Sequence, residues 1–109
     1  MLNTPVVLFC FNRPSETKKV FTEIKKIKPF KIFLIMDGPR ENNKKDIINC
    51  LKVKKIISKI NWNCRVYSNY SKINLGLKKR FTKGLKWVFS KTKSGLCVKF
   101  LNSFIRSSC

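Results

Sequence analysis

The chain contains no histidine, and only five of its 109 residues are acidic. Without histidine it lacks the commonest general base and the commonest nitrogen ligand for a metal. Glycine is sparse, at four residues, and neither a phosphate-cradling P-loop nor a dinucleotide glycine fingerprint occurs. Cysteine is present as Cys10, Cys50, Cys64, Cys97 and Cys109, never as a Cys-x-x-Cys pair. A zinc site of the Cys and His type therefore lacks both its spacing and its partners. An odd cysteine count without a signal peptide leads us to expect reduced thiols and a cytoplasmic location. Long apolar runs are missing too. Val6 to Phe11 and Ile32 to Met36 fall far short of the roughly 20 residues that span a bilayer.

What abounds is positive charge. Lys and Arg number 25 against Glu16, Glu23, Asp37, Glu41 and Asp46, for a formal net charge of +20. No carboxylate side chain follows Asp46. Such a balance concentrates polyanions non-specifically, so one reading is a small basic nucleic-acid-binding module. The other is compositional, because Lys, Ile and Asn are enriched together and the Lys are scattered over several helix faces. A hydrophobic content of 43% with nine Phe argues for a folded chain. Its length allows one small domain, whose limited burial makes for modest stability.

Continuous hydrophobicity from Pro5 to Phe11 is what a strand buried on both faces requires. Asn12-Arg13-Pro14 closes it, and Pro14 suits the first turn of a helix that Pro29 stops. Val20, Phe21, Ile24 and Ile27 share one face of that helix. A second strand, Ile32 to Met36, ends in the turn Asp37-Gly38-Pro39-Arg40. A second helix capped by Asn43 carries Ile47, Ile48, Leu51, Ile56, Ile57 and Ile60. Arg65 to Ser68 reads as a short third strand, and Leu77, Phe81, Leu85, Val88 and Phe89 mark a third helix. Leu96 to Leu101 has the makings of a fourth strand, interrupted by Lys99. This alternation predicts an α/β fold with a parallel sheet and right-handed crossovers.

In open sheets of this kind ligands bind beyond the carboxyl ends of the strands. The residues there are Asn12 and Arg13, Asp37, then Ser68 and Asn69. Asp37 is suited to a ribose hydroxyl or base imide, or equally to bonding its own turn. Arg13 can pair bidentately with a diphosphate, although a solvated surface Arg is commoner. Asn12 and Asn74 can each serve a ligand or a cap. Lys78, Lys79 and Arg80 follow Gly76 in the first turn of the third helix, an unfavourable place for cations unless an anion joins them. Trp62, Trp87, Tyr67 and Tyr70 suggest base stacking, though Trp87 fits a packing pattern. No catalytic set can be assembled from these residues.

Three stretches in order carry a family likeness: Thr4 to Val7 running through Phe11-Asn12-Arg13-Pro14, Ile35-Met36-Asp37-Gly38-Pro39-Arg40, and Asn74-Leu75-Gly76 before an amphipathic helix. From Thr4 to Ser90 the chain resembles the start of family 2-like glycosyltransferases of the GT-A fold. The resemblance implies the nucleotide-binding half of such a fold, a Rossmann-like parallel sheet with helices on both faces. It implies a transferase using a nucleotide-diphospho-sugar, with a glycan or lipid acceptor in the full-length enzyme and a role in bacterial surface polysaccharide. By that likeness Asn12 and Arg13 line the nucleotide pocket, Asp37 contacts base or ribose, and Asn74 and Gly76 shape the loop toward the diphosphate. The full-length family also holds a divalent cation, Mg or Mn, on an Asp-x-Asp motif after the fourth strand. Here that stretch, Ser94 to Leu101, offers Lys99 instead, so no metal ligand or catalytic residue is assigned. Residues 1–90 are thus expected to form a donor-binding half-domain and 91–109 a divergent, frameshifted tail. A truncated transferase inactive by itself is the expectation.

Overall fold

The computed structural model describes residues 4–92 and 99–102. Within them the chain runs β1 (Val6–Cys10), α1 (Pro14–Ile27), β2 (Lys31–Met36), α2 (Lys44–Ile57), β3 (Arg65–Tyr70), α3 (Leu77–Lys91) and β4 (Lys99–Asn102). The strands form one sheet in the order β3-β2-β1-β4, every neighbouring pair parallel. This is the expected Rossmann-like α/β fold. Parallel strands need crossovers long enough to hold a helix, and right-handed crossovers place helices on both sides once the strand order reverses.

The two most apolar strands occupy the middle. Val6 to Cys10 are wholly buried, and β2 is buried from Ile32 onward. Their odd and even side chains feed two cores. Leu8, Leu34 and Met36 pack with Phe21 and Ile24 of α1 and Val53 and Ile57 of α2. Phe9, Phe33 and Ile35 pack on the other side with Val88, Phe81, Leu85 and Trp87 of α3. Edge strand β3 extends two residues past Ser68, and part of the segment set apart as a tail lies in the sheet as β4, beside β1. Residues 93–98, including the start of the expected fourth strand and most of the Ser94 to Leu101 stretch, lie outside the described residues.

Two helix faces differ from the sequence reading. On α2 the buried residues are Asp46, Cys50, Val53 and Ile57, an i, i+4, i+7, i+11 stripe. Ile47, Ile48 and Leu51 are instead 45%, 54% and 61% exposed. The rotation is set at the start of the helix. The Asn43 side chain accepts a bond from the Asp46 amide, and the Asp46 carboxylate turns inward to Arg40 and Asn12. On α3, Leu77 and Phe89 are exposed while Arg80, Gly84 and Val88 are buried. The helix lies so close to the sheet that a Cβ on Gly84 would sit 2.9 Å from Ile35 and 3.0 Å from Phe9.

No helix among the described residues is long and apolar enough to cross a membrane. Cys50 and Cys64 are free thiols, and burial pushes the Cys50 thiol up to about 11. Cys97 and Cys109 lie outside the described residues.

Candidate functional site

α1 leaves the sheet on one side and α3 on the other. Between their N-termini, beyond the carboxyl ends of β1 and β2, lies a cleft of about 300 Å³. Its walls are Phe11, Asn12 and Arg13 after β1, Asp37 and Arg40 after β2, and Asn74, Gly76 and Leu77 before α3. All five residues singled out from the sequence therefore meet in one place.

Their side chains are not equally available. Asp37 is only 2% exposed, and its carboxylate accepts four bonds. Gly38 and Leu75 donate backbone N–H groups to Oδ1 at 2.9 and 2.8 Å. Gly76 donates to Oδ2 at 3.1 Å, and the Asn74 amide to the same oxygen at 3.2 Å. A carboxylate offers about four lone-pair positions, and here the protein's own donors take them. The Asn74 amide also reaches the Gly38 carbonyl at 3.0 Å. Asp37 and Asn74 thus tie the loop before α3 to the end of β2. Gly38 permits this closeness, since a Cβ there would lie 2.7 Å from the backbone of Lys72 and Ile73. Gly76 adopts φ 87°, a region open to glycine at little cost.

A second saturated carboxylate stands opposite, and sequence reasoning passed it over. Asp46, in the first turn of α2, receives the Arg40 amide at 3.0 Å and the Arg40 guanidinium at 2.6 and 2.9 Å. Asn12 donates to it as well, at 2.8 Å. The available signal was its position: it is the last acid in the chain, three residues after the Asn43 cap. The Arg40 hydrogen bonds, with that of Asn12, hold the Asp46 carboxyl well below the usual carboxylate range. A carboxyl depressed on folding stabilises the fold above its unfolded pKa, and that stabilisation fades as pH falls toward the folded value. Asp46→Asn should accordingly be less stable than the parent in urea at neutral pH. The gap should narrow below about pH 4; a gap that widens in acid would contradict the assignment.

What remains open is cationic. The Arg13 guanidinium makes no hydrogen bond or ion pair with the described residues. Neither α1 nor α3 has a side-chain cap, and α3 has no acid in its first turn. α2, by contrast, is sealed by Asn43 and Asp46. Arg80 of α3 is buried, with one guanidinium nitrogen 3.2 Å from Asn69 and its Nε unpaired. Burial lowers its pKa, and the Asp37 charge opposes that shift.

Three of the four aromatics considered for base stacking are occupied elsewhere, while Tyr70 is 37% exposed with the Lys54 ammonium 5.8 Å from its ring centroid. Tyr67 stacks on Phe33 at 5.0 Å and Trp87 meets the same ring edge-on at 5.7 Å. Trp62 donates to the Pro29 carbonyl. Among the described residues no three His, Cys, Asp or Glu side chains converge as a metal site. The carboxylates of Asp37 and Asp46 are saturated by N–H donors, so these residues do not fit a divalent cation.

Comparison with protein-family models, with curated proteins and with solved structures finds no match to this chain. The class defined by its own fold and cleft is a small parallel α/β domain with a cationic crevice at the strand carboxyl ends.

Proposed function

We propose that the cleft receives the nucleoside diphosphate portion of a nucleotide sugar, as the donor-binding half of a glycosyltransferase. One observation carries this reading. Two uncapped helix N-termini and the uncommitted Arg13 converge on a crevice whose carboxylates already have their acceptor positions filled by the protein's own donors. Helix N-termini present N–H groups and positive potential to an anion. A guanidinium adds a charge-assisted, geometrically specific contact. Phe11 and Leu77 supply apolar walls for a base, and the volume lies at the lower end of small-ligand sites.

On this reading Asn74 keeps the loop-shaping role the family likeness implies, and Asp37 shares it in place of the base or ribose contact. Together they hold the loop that shapes the diphosphate end of the cleft. Asn12, tied to Asp46, similarly braces the wall beside Arg13. No catalytic base or metal is assigned, and the reading is of donor recognition only. The alternative of a nucleic-acid-binding module has less support, because Tyr67 and Trp87 pack against Phe33 and Trp62 is tied to the Pro29 carbonyl, leaving Tyr70 as the one exposed ring of the four.

Titration calorimetry of the purified chain with the nucleoside diphosphates, beginning with uridine diphosphate, provides the test. We expect saturable binding that Arg13→Ala weakens about tenfold or more, the range of one charge-assisted contact. Lys83→Gln, on the outer face of α3, should leave it unchanged. Absence of binding by any nucleoside diphosphate, or indifference to Arg13→Ala, would refute the proposal.

A further inference from the structure

α1 and α2 lie side by side over one face of the sheet, and a groove of about 450 Å³ runs between them. Phe21 and Ile56 line it together with Lys18, Lys25, Lys52 and Lys55. Neither of the ion pairs among the described residues, Lys26 with Glu23 and Arg40 with Asp46, neutralises any of these lysines. On α2 the outward stripe reads Lys44, Ile48, Leu51 and Lys55, all exposed. Its i, i+4, i+7, i+11 spacing sets apolar and cationic side chains along one line. The exposed aliphatics are those the fold left unburied when Asp46 fixed the rotation of the helix.

We propose that this α1–α2 face docks on an anionic lipid bilayer. Branched aliphatics flanked by lysine suit the headgroup boundary, where the aliphatic tips enter the acyl region and the lysine stems reach back to anionic headgroups. Each lysine near such a surface adds attraction, and clusters of several mark anionic-lipid recognition. Nucleic acid is the poorer fit: lysine serves a phosphate backbone equally well, but the exposed Ile48 and Leu51 offer it nothing, and among the described residues no exposed aromatic stands beside them to stack on a base. A second copy of the chain would set one lysine row against another. The inference does not rest on the nucleotide reading, but the two sites adjoin: Pro14 lines the groove and Arg13 the cleft. Docking would therefore place the mouth of the cleft beside the headgroups.

The experiment is flotation of the full chain with vesicles of phosphatidylcholine alone and of equal parts phosphatidylcholine and phosphatidylglycerol. Binding is expected on the anionic vesicles only. K52Q/K55Q should lower it about thirtyfold, the loss of two surface lysines. I48S/L51S should lower it about tenfold while leaving retention on heparin unchanged. All four side chains are exposed, so the fold is not at stake, and K83Q/K86Q over the opposite sheet face is the control. Three results would each overturn the proposal: no binding to anionic vesicles, full binding by I48S/L51S, or a loss with K83Q/K86Q as large as with K52Q/K55Q. The second of these would identify a general polyanion surface.

Discussion

Asp37→Ala is expected to lower the stability of the chain by at least about 3 kcal/mol, because it orphans buried donors as well as deleting a charge. For a domain of this size that corresponds to a fall in melting temperature of roughly 12 °C or more. The cause is local. Leu75, Gly76 and Gly38 point backbone N–H groups at the carboxylate, and the Asn74 amide adds a fourth bond. Water can satisfy these donors only if the loop before α3 opens. Asp37→Asn should be nearly as damaging, since its amide nitrogen would face donors where an acceptor is needed. The exposed Glu41→Gln is the reference and should change stability by no more than about 0.5 kcal/mol. Thermal unfolding followed by circular dichroism measures all three. A parent-like melting curve for Asp37→Ala would mean the loop is held by other contacts.

Phe9→Ala should cost about 3–5 kcal/mol, the usual range for emptying a fully buried aromatic position. A small domain has about 5–15 kcal/mol in total, so the variant should lose most of its cooperative unfolding. Phe9 sits on a strand paired on both sides, wholly buried. Its ring stacks on Phe81 of α3 at 4.5 Å. Phe89, also on α3 and 55% exposed, provides the contrast: Phe89→Ala should stay within about 0.5 kcal/mol of the parent. Urea denaturation separates the two. Equal losses would show that α3 packs through a different face.

That contrast marks how far the sequence can be read. β1 and β2 were legible because an unbroken apolar run has one comfortable environment, a sheet covered on both faces. α1 was legible for a related reason: Phe21 and Ile24 leave no other stripe to bury. α2 and α3 were legible as helices but not in their rotation. Ile47, Ile48 and Leu51 are as apolar as Val53 and Ile57, and Leu77 and Phe89 as Phe81 and Val88. Hydrophobicity alone does not rank two competing stripes. On α2 the choice falls to a polar contact, Asp46 with Arg40 and Asn12, between partners far apart in sequence or joined through a turn.

The candidate cleft divides in the same way. Strand ends and turn chemistry sufficed to gather Asn12, Arg13, Asp37, Asn74 and Gly76 at one edge, because parallel strands place all their exits together. Residue type did not reveal what each side chain does there. An aspartate after a strand can face a ligand or its own chain with equal propriety, and the sequence reading left both open for Asp37. The outcome was decided by where the β3–α3 loop comes to rest, which depends on Gly38 admitting its backbone and on α3 lying tight against Ile35 and Phe9 at Gly84. Local pattern, then, determined the elements and their order, since hydrophobic periodicity and turn residues act over a few positions. Tertiary structure alone decided which helix faces are buried and which carboxylates are spent, since those follow from contacts between segments that no local pattern records.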